Sequence, residues 1–271
     1  MKPLFLLLFT LFVQQTFSQA DSSIYRIHYK VSYVCDSTKP QSIKSDIMLL
    51  DLFEDSSIFF SMDLYEKELL VKQDSALIEQ LFATGIVYGK DFAKYESNGQ
   101  KEILFHNYKL NTITHYMVDM YNFYYTDSIS FPQWTLHTDT SVISGMICQK
   151  ATCTLGGRNY TAWFHTGIAV SKGPWKLHGL PGIIIKAYDH KNHFTYEWLK
   201  SEVIEIKYNK FKDYTLPVKS NLKKITKKEL FALLKEEYED ISSFNRRMGL
   251  SIDVQNPIIK PPRYYNPQEF E

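Results

Sequence analysis

The chain has 271 residues, a formal net charge of +1 and 15% aromatic residues. So nearly neutral a chain carries no strong field to draw it to nucleic acid or to an anionic membrane. Its length suits one large β-rich domain, and its many tyrosines and phenylalanines favour pleated, half-buried surfaces.

In chain order, the first twenty residues read as a secretory signal peptide. Lys2 supplies the positive start, residues 4–13 form an apolar run broken only by Thr10, and polar and small residues continue to Ala20. The run is far shorter than the ~20 residues a membrane-spanning helix needs, so cleavage after Ser18 or Ala20 is expected. No cysteine follows until Cys35, which gives no support to a lipid anchor. The expected organisation is a signal peptide over 1–20, a single β-rich domain over 21–256 and a Pro-rich extended tail over 257–271. The mature chain is then an exported protein with no membrane span, placed in the periplasm or released outside the cell.

Residues 24–34 alternate as Tyr25, Ile27, Tyr29, Val31 and Tyr33 with mostly polar residues between, the pattern of a half-buried strand. Residues 45–53 and 56–62 read as the second and third strands. Asp63 and Glu66 resemble a helix-capping pair, and Leu69 or Leu70, Gln73, Leu77 and Leu81 recur at helical spacing, predicting a mid-chain helix over about 64–82. Strands follow at 103–108, 113–118 and 122–126.

Gly156-Gly157 between two alternating runs predicts a two-residue hairpin turn over residues 146–165. That turn sets Leu155 opposite Arg158, Cys153 opposite Tyr160, Lys150 opposite Trp163 and Cys148 opposite His165. Ile147, Ala151, Cys153 and Leu155 are expected inside. Cys148 and Cys153 point to opposite faces of one strand about 16 Å apart and cannot bridge, which leaves Cys35 as the one available partner for either. Residues 183–189 and 194–200 read as a second hairpin. Thr226 and Glu229 form a capping box, and Phe231, Leu234, Tyr238, Ile241, Phe244 and Met248 share one face, predicting an amphipathic helix over about 227–248 closed by Gly249. Strands, a helix, more strands and a last helix make an α+β class, with a mainly antiparallel, curved sheet.

The densest backbone signals lie in Gly173-Pro174-Trp175-Lys176 and His178-Gly179-Leu180-Pro181-Gly182, leading into Ile183, Ile184 and Ile185. Glycine admits positive φ, while proline fixes φ and removes a donor, so this stretch has one required path. These residues resemble the signature of the GLPGLI family of exported proteins of Gram-negative bacteria, here with Ile183 in place of a leucine. Gly157-Arg158, Ala162-Trp163-Phe164, Asp189 and the terminal Asn266-Pro267 with Glu269 are similar to further family features. The resemblance implies an exported protein linked with outer-membrane nutrient receptors and exported peptidases. It implies no catalytic residue. Gly157, Arg158, Pro174, Gly179, Leu180, Pro181, Gly182 and Asp189 then form a structural motif.

Three groups carry chemistry on paper. His178 beside Trp175 reads either as a ligand-binding or proton-transfer group, or as a histidine that locks the turn through a loop carbonyl. Cys148 opposite His165 has the form of nucleophile and base, but no third, orienting group is identifiable, and packing explains the cysteine. Asp189, His190 and His193 crowd one turn without the three or four converging ligands a metal needs, so no metal or other cofactor is expected. No phosphate loop, HExxH, GxSxG or CxxC pair occurs in the chain. The reading is a non-enzymatic exported binding or accessory protein, linked to nutrient or peptide uptake. It would hold an outer-membrane receptor, an exported peptidase or a peptide through Trp163, Trp175 and His178. The alternative is a hydrolase or redox enzyme using His178 or Cys148.

Overall fold

The structure is a computed structural model. It describes residues 22–76, 79, 97–118, 122–206, 222–247 and 266–269. The expected signal peptide, most of residues 77–82 and the tail up to residue 265 lie outside the described residues.

Among the described residues twelve strands form one sheet: β1 (Ser22–Val34), β2 (Ile43–Leu52), β3 (Ser56–Ser61), β4 (Glu102–Asn107), β5 (Thr112–Met117), β6 (Phe123–Ser128), β7 (Thr135–Ile143), β8 (Met146–Leu155), β9 (Arg158–His165), β10 (Ile183–Asp189), β11 (Phe194–Ile206) and β12 (Lys223–Lys224). The order across the sheet is β12-β6-β5-β4-β3-β2-β1-β11-β10-β9-β8-β7. Neighbours pair antiparallel except β12 on β6, which is parallel, so the sheet is mixed. Among the described residues strand accounts for 50% and helix for 17%. The expected α+β class is therefore wrong: the fold is mainly β. The helical signals in the sequence were local ones, and they yield short helices beside one large sheet.

The mid-chain helix shows why. Helix α1 (Met62–Gln73) starts at Ser61, whose Oγ accepts from Leu64 N, not at Asp63. The Asp63 carboxylate instead clamps the chain returning from the helix, accepting from Ser97 Oγ and from Asn98 and Gly99 N. Leu64 is buried, while Leu69 is exposed, so only the first turn of α1 packs on β2 and β3. Under it lies a buried ion pair: Arg26 Nε and Nη2 donate to the two Asp51 oxygens at 2.6 Å, with the guanidinium near the Phe60 and Tyr65 rings. Both faces of β1 are thus covered, not one.

The C-terminal helix is divided where its periodicity predicts one helix. The capping box of Thr226 and Glu229 is present, but helix α2 (Lys227–Glu239) ends at Asp240, and a separate α3 (Ile241–Arg247) follows. Asp240 leaves helical geometry at φ −143 and its Oδ1 accepts from Ser243 N, which starts α3 as an N-cap would. Leu233 and Phe244 pack on Phe123 of β6.

The β8–β9 hairpin has the expected register, with Leu155 opposite Arg158, Cys153 opposite Tyr160 and Lys150 opposite Trp163. Gly156 and Gly157 have φ of +55 and +73, as a twist-matched two-residue turn requires. Ile147, expected inside, is 68% exposed, and Cys148 is fully buried. The cause lies in β7, which the sequence reading passed over. Leu136 faces Ala151 and Thr140 faces Gln149, so two extra residues of β7 bulge against β8 and re-aim its side chains. All three cysteines are free thiols.

Candidate functional site

The glycine- and proline-rich segment fills the inside of the sheet. Between β9 and β10 the chain enters the concave side, where Trp175, Leu177 and Leu180 are buried in the main core. His178 on this loop approaches His106 of β4 ring to ring at 5.6 Å. Strands β4 and β9 lie six places apart in the sheet, a distance of about 29 Å were it flat. The loop bridges that span, and the sheet wraps around it.

Hydrogen bonds hold its path. Gly179 N donates to Ser171 O at 2.7 Å, Leu177 N to Pro174 O at 3.0 Å and Ile183 N to Ile168 O at 3.0 Å. Trp134 Nε1 donates to His178 O at 2.9 Å. Lys172 Nζ reaches the β2–β3 turn, donating to Phe53 O and, at 2.8 Å, to Glu54 O. Gly179 has φ +95, and Trp175 sits at φ +52, unusual for so bulky a residue. Gly182 has ordinary φ, but a Cβ there would overlap the His165 carbonyl, and one on Gly173 would overlap Leu177 O. Alanine at Gly173 or Gly182 should therefore cost about 1–3 kcal/mol by overpacking, and at Gly179 about 1–2 kcal/mol through its left-handed backbone. Thermal melting measures this, and variants that melt like the parent would show the loop to be free to move.

His178 does not lock the turn through its ring. Both ring nitrogens of His178 and of His106 are buried without a hydrogen-bond partner. The Ser130 backbone lies beside His178 and favours its protonated form, but burial outweighs this and lowers the pKa to about 4. Burial, with the nearby His178, lowers His106 to about 3. Phe131 covers His178 edge-on at 4.8 Å, and Tyr108 stacks on His106 and shares a hydrogen bond with Ser57. Both imidazoles are neutral, apolar-walled and closed to substrate.

The expected binding surface of Trp163, Trp175 and His178 does not assemble. Trp163 lies on the outer face of β9, whereas Trp175 is 3% exposed on the inner side beside Tyr160. Cys148 is no better placed for chemistry. Its Sγ donates to Met146 O at 3.4 Å, His165 Nδ1 is bonded to Ile147 O, and burial pushes the thiol pKa up. Asp189 is committed to structure: Oδ2 accepts from Arg158 Nη1 at 2.9 Å and Oδ1 from Phe194 N at 2.9 Å. Among the described residues no group of three or more His, Cys, Asp or Glu could hold a metal ion.

What the fold does bring together is Arg158, Lys176, Asp189 and the strap Asn266–Glu269, at the end of the sheet where β9, β10 and β11 meet. Arg158 is 2% exposed and its partner Asp189 wholly buried. Beyond Asp189, Arg158 Nε and Nη2 donate to Pro267 O at 3.1 and 2.5 Å, and Nη2 to Asn266 Oδ1 at 2.8 Å. Asn266 Nδ2 donates to Val34 O at 2.7 Å, and Gln268 Nε2 donates to the Tyr196 hydroxyl. Glu269 accepts from Lys176 at 2.6 Å and lies 3.6 Å from Lys227 Nζ. Nothing in residue spacing pairs Lys176 with Glu269, 93 positions away.

Next to this strap is a cavity of about 270 Å³. It is lined by apolar side chains, including Met117, Phe123, Leu230 and Leu233, by the polar Lys101 and Glu237, and by the strap residues Asn266 and Gln268. This volume lies just below the ~300–1,000 Å³ usual for ligand sites.

No family model and no curated protein matches the chain. Among solved structures the fold resembles PNGF-II, in crystals of space groups P21 and C2, each at TM-score 0.50 and 13% identity. The match covers 78% of this chain and 33% and 32% of those chains. The chain thus spans about a third of PNGF-II, and at this identity the likeness concerns the fold alone.

Proposed function

We propose that this is an exported, non-enzymatic binding protein of the bacterial envelope that takes an apolar group of a peptide or small ligand into the cavity between the sheet and α2. The cavity carries this reading: a pre-formed apolar space edged by a few polar groups is the usual form of a binding site. Its volume suits one apolar side chain or short acyl group. Export and an accessory role in outer-membrane uptake rest on the signal-peptide pattern and on the GLPGLI-like motifs. No helix among the described residues is long and apolar enough to cross a membrane. The hydrolase or redox alternative has less support, because Cys148 and His178 are buried without an activating partner.

Titration with a naphthylamine probe under native conditions tests the cavity. Saturable one-to-one binding is expected, lost in Leu233→Trp, which fills the space, and retained in Cys148→Ser. Binding that ignores Leu233→Trp, or no saturable binding at all, would refute the cavity as a ligand site.

A further inference from the structure

The strap Asn266–Glu269 is held in the manner of a bound peptide. Each of its four residues meets a specific partner. Pro267 offers its carbonyl and Asn266 its amide to one buried guanidinium, Gln268 meets a buried tyrosine hydroxyl, and Glu269 meets two lysines. The receptor side is already assembled, because Asp189 orients Arg158 from below and neutralises it. A bidentate, pre-oriented arginine with a lysine beside it is the arrangement that recognises a backbone carbonyl and an acidic side chain with little ordering cost. Gly156 contributes as well, since a Cβ there would press on Glu269 Cβ and Cγ.

We propose that the Arg158–Lys176 cradle is a recognition site for an Asn-Pro-x-Glu peptide segment, and that Asn266–Glu269 is its resident, exchangeable occupant. The chain carries an internal contrast: Asn256-Pro257 is followed by Ile258 and Ile259, so it has the Asn-Pro pair without the acidic residue. The cradle discriminates between the two through Lys176 and Lys227. Because Asn266 and Gln268 also wall the cavity, a peptide that displaces the strap alters that space. This last step rests on the cavity being a ligand site, whereas the peptide recognition does not.

The test uses the full chain, folded and then nicked at a specific protease site introduced after Asp253, so that the tail is held by non-covalent contacts alone. A fluorescent peptide of residues 262–271 is added and its anisotropy followed. Exchange is expected, with saturable binding weakened about tenfold or more in the Glu269→Gln peptide. A peptide of residues 252–261 should not compete. Arg158→Lys in the protein should weaken binding similarly, and the peptide variants decide the matter if that protein does not fold. A nicked tail that never exchanges, a body that unfolds as the tail leaves, or equal binding of the Glu269→Gln peptide would each overturn the proposal. The naphthylamine probe reports the cavity separately, so peptide exchange without probe binding would remove the cavity reading and leave the cradle.

Discussion

Asp189→Ala should lower stability by about 3–5 kcal/mol, the usual result of removing one member of a buried ion pair. The change strands the Arg158 guanidinium, 2% exposed, and also removes the acceptor of Phe194 N. The pair itself need not be strongly stabilising, since its Coulomb attraction is set against the desolvation of two charges. Arg158→Met combined with Asp189→Leu should therefore recover much of the loss while abolishing attachment of the Asn266–Glu269 strap. Lys186 and Glu197, paired at 2.9 Å but 37% and 41% exposed, provide the contrast. Breaking that pair should cost less than about 1 kcal/mol. Urea denaturation at pH 7 measures all three. A loss below 1 kcal/mol for Asp189→Ala would mean that water reaches Arg158 readily.

Acid should destabilise the protein well before its carboxylates protonate. His106 and His178 have folded pKa values lowered to about 3 and about 4 from 6.5. Above pH 6.5 both states hold these rings neutral and nothing changes. Below it the unfolded chain takes up protons that the folded chain refuses, so stability falls with pH until about pH 3–4, where the folded rings also protonate. At pH 5 each histidine removes about 2 kcal/mol. His115 acts in the same direction, lowered by burial against the opposing hydrogen bond to Glu102. Unfolding midpoints between pH 7 and pH 5 should drop steeply for the parent chain. The drop should be much shallower in a His106→Gln, His178→Gln double variant. Parallel curves would show that the two rings are solvated in the folded state.

The sequence was most legible where structure is local. The Gly156-Gly157 turn set the β8–β9 register, and Thr226 with Glu229 set the start of α2, because a turn or a cap depends on residues within four positions of one another. Helix ends were less legible. Periodicity extended the last helix across Asp240, whose side chain favours starting a new helix over continuing the old one. Strand β7 went unread because its Ser144-Gly145 turn joins an exposed edge strand with little apolar alternation and a two-residue bulge.

By itself, the sequence determined a β-rich chain, most of its strands, its hairpin turns and the turn-dense character of the Gly173–Gly182 stretch, since each follows from φ preferences and two-residue alternation. It did not determine which side of the sheet that stretch would occupy. Trp175 and His178 read as binding groups, with His178 alternatively a lock on the turn, and proved to be core, because the sheet wraps around the loop and a curled sheet needs an apolar filling. The class was decided in the same way, since pairing through twelve strands left the described helices as short additions. Only the tertiary structure joined Arg158 and Asp189 to Asn266, and Lys176 to Glu269. A long, flexible cation finds its partner through the path of the backbone, and no spacing along the chain records that path.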